Sequence, residues 1–409
     1  MLRFLFLTFR GPTDARKSGY PEIFYRPRHE DIETLRVNLQ AIITIILFLQ
    51  DKIPDMKNRT NLILIIICFW ASQLYGQSHP PKIYQSIKTN GKINIDGFAN
   101  EAAWDRALWS DDFVDIEGEA KPIPKYKTRM KILWDENALY IFAQLEDPHV
   151  WASITERDQV IFYDNDFEIF IDPDGDNHNY FELEVNAFST AFDLFMTMPY
   201  NAGGSALIGW DINGLEVATQ ITGSINNPKD IDERWTVEMA IPWQSMLAYA
   251  PGKSPPQNGD VWRINFSRVQ WQTEIVDGEY KKAINPVTGK PFPESNWVWS
   301  PQGVIDMHRP ETWGYIAFTD QPSEREITIL EADPFFKEKQ VLLALYNKQK
   351  VFLKQNKRYA ESLYELDKQG RNTAQNIFIE ATSKQFLIST NTENGNTVYI
   401  DHQKRIWLE

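Results

Sequence analysis

The chain has a single cysteine, Cys68, among its 409 residues, so no disulfide closes within it and no cysteine-built zinc site is available. Histidine is scarce too: six, at 29, 79, 149, 178, 308 and 402, none paired at metal-ligand spacing, which leaves histidine-based zinc or nucleophilic chemistry little to stand on. No G-x-S-x-G elbow, H-E-x-x-H helix, Walker loop or dinucleotide glycine pattern occurs. Any metal is therefore held by oxygen or histidine. Positive charge is in deficit, with 42 Lys and Arg against 56 Asp and Glu, a net charge of −14. Residues 1–76 hold ten basic and seven acidic residues, so the remainder carries −17. Such a body repels nucleic acid and anionic lipid. What is abundant is apolar and aromatic: 43% hydrophobic and 13% aromatic residues with 24% charged, a globular composition that excludes disorder and collagen-like structure.

Met56-Lys57-Asn58-Arg59 followed by Leu62 to Ala71 reads as a basic segment and a ten-residue apolar core, too short for a bilayer interior of about 30 Å. The expectation is a secretory signal over residues 56–76, cut before Gln77, with translation starting at Met56 and residues 1–55 a non-native upstream extension. The apolar run Ala41 to Leu49 is likewise too short to span. Export implies a periplasmic, cell-surface or extracellular protein with no membrane span in its mature chain.

Twelve of the fourteen tryptophans fall between Trp104 and Trp313, and the composition changes near Asp320. Residues 77–320 and 321–409 are thus expected to be separate units. In the first, period-two alternation recurs over Thr128 to Trp134, Leu139 to Leu145, Phe167 to Asp172, Phe181 to Asn186, Trp235 to Ile241, Trp262 to Val269 and Trp313 to Phe318, predicting an all-β sandwich or barrel. A short helix is predicted over Asn100 to Leu108. The second unit reads as one long amphipathic helix within Pro334 to Asp367, then strands at Asn376 to Glu380, Gln385 to Thr390 and Thr397 to Asp401, with an Asn394-Gly395 hairpin turn.

The densest chemistry lies in Phe162 to Tyr180. Alternation sets Phe167, Ile169 and Ile171 against Glu168, Phe170 and Asp172. Asp172, Asp174 and Asp176, with Asn177, offer oxygens at a one-three-five spacing that suits calcium. Leu183 stands where an EF-hand has its bidentate Glu, and Asn177 replaces its glycine. A metal-free Asp/Asn-rich turn is the competing reading. On the next strand Glu182, Glu184 and Asn186 share a face. Arg263 to Trp271, with Arg268 and Trp271, and Asn296 to Ser300, with Trp297 and Trp299, add further polar-aromatic clusters. Rings for sugar C–H faces beside groups that hydrogen-bond hydroxyls point to carbohydrate as the ligand class.

Ile93-Asn94-Ile95-Asp96-Gly97 with Asn100 to Trp104, then Leu133 to Tyr140, then Asp166 to Asp172, closed by Trp313-Gly314-Tyr315-Ile316, resemble the family 9 carbohydrate-binding modules and their relatives in the DOMON-like superfamily, over roughly residues 83–320. The resemblance implies a jelly-roll-like β-sandwich, structural calcium, and a sugar gripped between aromatic rings, often in secreted polysaccharide-degrading machinery. It places the family's acidic ligand residue on Glu168 and its first sandwiching aromatic on Phe162, with Tyr163 beside it. Glu184 stands where the family has an arginine. The second tryptophan falls near Met307, with Trp299, Trp297 or His308 as replacements. The function expected is non-catalytic oligo- or polysaccharide binding. The alternatives are a glycosidase using two of Glu168, Glu182, Glu184 and Asp166, and a haem-binding domain with His308 or His178 and Met196, Met198 or Met307 as axial ligands.

Overall fold

A computed structural model describes residues 80–250, 254–323, 325–366 and 376–409. The chain divides after Gly76, and the upstream extension, the signal segment and Cys68 lie outside the described residues. The strands between residues 77 and 320 are β1 (Ile83–Lys88), β2 (Val114–Asp115), β3 (Thr128–Trp134), β4 (Ala138–Glu146), β5 (Asp166–Asp172), β6 (Tyr180–Asn186), β7 (Ala191–Met196), β8 (Ala206–Leu207), β9 (Glu216–Thr222), β10 (Arg234–Pro242), β11 (Val261–Gln270), β12 (Thr273–Val276), β13 (Glu279–Lys282), β14 (Ser295–Val298) and β15 (Gly314–Thr319). The predicted short helix is α1 (Ala102–Arg106).

Hydrogen bonding runs β8-β7-β6-β5-β11-β15-β1-β3-β4-β10-β9, with β14 and β2 branching from β11. The run curls on itself. Phe167, Ile169 and Ile171 of β5 and Phe181, Leu183 and Val185 of β6 share one core with Met130 and Ile132 of β3, Leu145 of β4 and Val237 and Met239 of β10. Period-two alternation thus buries one face of each wall between two layers, giving the predicted jelly-roll-like sandwich. β7, Ala-Phe-Asp-Leu-Phe-Met, is not among the predicted strands, and it is buried at every position.

One buried carboxylate ties the amino-terminal turn to this scaffold. Glu238, inside β10, accepts hydrogen bonds from the Asp96 and Gly97 amides and from Trp104 Nε1, each at 3.0 Å. Gly97 has φ +86°, and a Cβ there would meet Gln220 Cγ at 2.7 Å, so only glycine fits that turn.

The carboxy-terminal segment contains α2 (Ile329–Ala332), α3 (Phe336–Asn356), α4 (Leu363–Leu366) and the antiparallel sheet β16 (Ile377–Ala381), β17 (Phe386–Asn391), β18 (Thr397–Asp401) and β19 (Ile406–Leu408). The long helix stops at Asn356, short of the predicted span, because Lys357 turns left-handed at φ 59° and the buried Gln349 closes both polar groups of Ala360 at 2.8 Å. Leu342, Leu345 and Tyr346 of α3 pack on Phe386, Ile388, Val398 and Ile400. This appendage also reaches the sandwich. Asn177 Nδ2 donates to the Lys404 carbonyl at 3.1 Å, Ile406 N donates to the Asp176 carbonyl at 3.0 Å, and the buried Lys404 ammonium pairs with Glu311.

Candidate functional site

Register builds the site. Glu168 of β5 lies opposite Glu184 of β6 and Ser267 of β11, while Glu182 lies opposite Phe170 and Leu194. Because their neighbours in sequence point into the main core, these glutamates share the other face of the sheet. That face is not open. Ile161, Phe170, Tyr180, Phe192, Leu194, Met196 and Trp313 form a second apolar cluster over it, and Glu168, Glu182 and Glu184 are all buried. Their carboxylate oxygens lie within 4.8 Å of one another. The Phe162 amide donates to Glu184 Oε2 at 2.7 Å. His308 Nε2 sits 3.4 Å from Glu182 Oε2, and its Nδ1 is 3.0 Å from the Tyr180 hydroxyl.

Burial dominates the electrostatics. It pushes Glu168 up to about 7. Burial, and then the charge of neighbouring carboxylates, raises Asp166, Glu182 and Glu184 well above the ordinary carboxylate range. Burial also lowers His308 to about 3, keeping its imidazole neutral.

Aromatic side chains rim this floor on two sides. Phe162 is half-buried and Tyr163 is 48% exposed, with ring centroids 4.5 Å apart. Lys282 Nζ lies 5.4 Å from the Tyr163 ring and 3.3 Å from that of half-buried Trp271, whose Nε1 donates to the Phe162 carbonyl at 2.8 Å. On the other side Tyr200, 43% exposed, meets the His308 ring edge-on at 4.5 Å. The half-buried Met307 packs against the second apolar cluster. Phe162, Tyr163, Glu168, Glu184, Trp271 and His308, named from sequence, therefore do converge. Glu182 belongs with them and was signalled by its parity with Glu184. Tyr200 and Lys282 carry no such signal, since one sits in a loop and the other in an exposed hairpin.

Three residues named from sequence lie elsewhere. Arg268 is 0% exposed because it shares parity with Trp262, Ile264 and Phe266, which face the main core. Its guanidinium donates to Gln270 and Thr128 and pairs with Asp147. Trp297 and Trp299 belong to that same core. Trp297 packs edge-on against Tyr126, and Trp299 lies so close to Gly314 that a Cβ there would stand 2.5 Å from its ring. None of the three offers a ring face or donor to a ligand at this site. Of the histidine and methionine residues considered for haem, His178 Nε2 bonds the Gln403 carbonyl at 2.9 Å and Met196 is sealed within the second apolar cluster.

The Asp172–Asp176 turn is a separate cluster. Its three carboxylates offer oxygens within 4.8 Å of one another, a hard donor set whose chemistry fits calcium. Asn177 takes φ 73°, so asparagine supplies the left-handed turn that glycine provides elsewhere. The Asp172 oxygens accept from Gly175 N and Asn177 N, and Asp176 accepts from Arg405 Nε at 2.8 Å. Asn177 itself is turned to the Lys404 carbonyl and is committed to the appendage.

Comparison with known proteins bears on this geometry. The family model described as carbohydrate family 9 binding domain-like matches residues 95–267. No curated protein matches the chain. Among solved structures, a family 9 carbohydrate-binding module from Caldicellulosiruptor kristjanssonii in complex with cellotriose shares 16% identity at a TM-score of 0.38, covering 61% of this chain and 99% of its own. The glucose complex of a family 9 module from the same organism gives 16% and 0.38, covering 60% and 100%. A putative carbohydrate-binding protein from Bacteroides uniformis gives 16% and 0.44, covering 58% and 100%. The segment matched by the family model runs from the Asp96-Gly97 turn into β11 and so contains Phe162, Glu168 and Glu184. Residues 95–267 thus resemble a family 9 carbohydrate-binding module-like domain.

Proposed function

We propose that the sandwich binds carbohydrate without catalysis, over the glutamate floor between the Phe162–Tyr163 and Tyr200–His308 banks. The observation that carries this reading is the convergence of three residues singled out by the family resemblance. Phe162, ahead of β5, bonds Glu184 of β6, which lies opposite Glu168. The match of residues 95–267 to the family 9 binding-domain model supports an oligo- or polysaccharide as the ligand. The signal-like segment supports an exported protein working at a periplasmic, surface or extracellular site of polysaccharide breakdown.

Titration calorimetry against soluble glycans tests the proposal. Tyr163→Ala removes an exposed ring whose loss leaves the core intact, and is expected to weaken glycan binding about tenfold, which is about 1.4 kcal/mol. Absence of heat with every glycan would overturn the reading. The packed carboxylates are what a glycosidase would use, since retaining enzymes hold theirs roughly 5 to 5.5 Å apart. Release of product from a glycan, lost in Glu168→Gln, would replace binding by hydrolysis.

Calcium at the Asp172–Asp176 turn belongs to the same proposal, as a structural ion clamping the turn that meets the appendage. Saturating calcium is expected to raise the melting temperature by roughly 5 °C. Chelator should reverse the rise, and Asp174→Asn should abolish it. A melting curve indifferent to calcium would remove the ion from the account.

A further inference from the structure

We infer that Glu168, Glu182 and Glu184 form a second, buried binding site for a divalent cation. Three side chains of like charge on one buried sheet face are costly unless something positive or a proton sits among them. Among the described residues the cluster's only ion-pair neighbour is His308, and no Lys or Arg reaches it. Three oxygens on this face lack a hydrogen-bond partner: Glu168 Oε2, on a residue 4% exposed, and Asp166 Oδ2 and Ser267 Oγ, each on one 0% exposed. A buried carboxylate oxygen left without a partner calls for an explanation, and a bound cation supplies one.

The spacing suits one ion. Oxygens around a single divalent cation at roughly 2.0 to 2.6 Å from it stand about 3 to 5 Å from each other, and those of the three glutamates fall within 4.8 Å. His308, with Nδ1 engaged by the Tyr180 hydroxyl at 3.0 Å, turns Nε2 toward Glu182 at 3.4 Å and so orients one of the three carboxylates from the second layer. Three carboxylates offer hard oxygen donors, which suit manganese among the divalent cations. The inference stands on the cluster itself and not on glycan binding.

The test uses Mn2+ alone. In Asp174→Asn protein, which disables the exposed turn, one equivalent of Mn2+ is expected to remain bound through desalting, with the electron paramagnetic resonance spectrum of a protein-held ion. Adding Glu168→Gln or, separately, Glu184→Gln should weaken it at least tenfold, while Tyr163→Ala on the rim leaves it unchanged. Cooperative melting of each variant shows that it is folded. Retention unaffected by both glutamine variants, or no retained Mn2+ in the Asp174→Asn parent, overturns the inference. Failure of glycan binding with metal binding intact would sink only the sugar reading.

Discussion

In chelator, Glu168→Gln should be more stable than the wild type at pH 8 by roughly 3 kcal/mol, of order 5 °C in melting temperature, and equal to it at pH 4. The cause is burial, which raises this carboxyl from its ordinary 4.5 to about 7. Between those values the folded protein keeps a proton that the unfolded chain has released. More protons are bound by the folded state, so stability falls as pH rises through the window. Below pH 4.5 both states are protonated and nothing is lost. At about 1.4 kcal/mol per pH unit the fall comes to roughly 3 kcal/mol. Glutamine has the shape of the protonated acid and never ionises, so the variant escapes this fall. Glu238, also pushed up to about 7, titrates in both proteins and cancels from the difference, whereas Asp166, Glu182 and Glu184 lose a neighbouring charge in the variant and add to its gain. Melting curves at half-unit pH steps give the comparison directly. A variant that matches the wild type at pH 8 would show that Glu168 is solvated in solution. With Mn2+ in excess the order should reverse, since the ion stabilises only the protein that holds it.

The sandwich was legible because its signal is local and redundant. Thr128 to Trp134 is a strand at its predicted bounds, and Asn394-Gly395 turns where predicted, with Gly395 at φ +84°. Each such segment carries its own alternation or turn chemistry, so reading them needs no knowledge of what lies across the core. The site was legible only in part, because parity tells which face a residue takes but not what covers that face. Glu168 does point away from the aliphatic side. Its surroundings are set by Ile161, Phe192 and Trp313, which arrive from distant segments and convert an expected wet edge into a lidded floor. Arg268, Trp297 and Trp299 failed for a related reason. Residue type suggested a ligand contact, whereas parity with Ile264 and Phe266 in the case of Arg268 already pointed inward. Where chemistry and alternation disagree inside a strand, alternation is the stronger guide, because one inverted side chain would require a bulge. Tyr200 had no pattern to betray it, since a loop residue reaches its neighbours by a path that no periodicity encodes.

Glu238→Ala should cost about 4 kcal/mol and lower the melting temperature by roughly 8 °C. Glu238 has no exposure, and its two oxygens satisfy three donors at 3.0 Å. Truncation removes the charge and strands the half-buried Asp96 amide and the buried Gly97 amide and indole N–H, the buried groups each losing about 1 to 3 kcal/mol of unrepaid desolvation. Water entering the gap recovers part of this, which sets the total below the simple sum. At pH 5 Glu238→Gln, which keeps one acceptor, should lose only about half as much, and less as pH rises toward about 7, since ionisation of the wild-type carboxyl destabilises the folded protein. The amino-terminal motif that resembles the family thereby acquires a mechanical role, in which Asp96-Gly97 and Trp104 converge on one acid of β10 and pin the chain's entry to the wall away from the glutamate floor. Glycan and Mn2+ binding measured at about 15 °C, where the variant is still folded, are therefore expected to be unchanged. Binding lost in step with Glu238→Ala at that temperature would mean that the two walls of the sandwich are coupled, and that the motif serves the ligand as well as the scaffold.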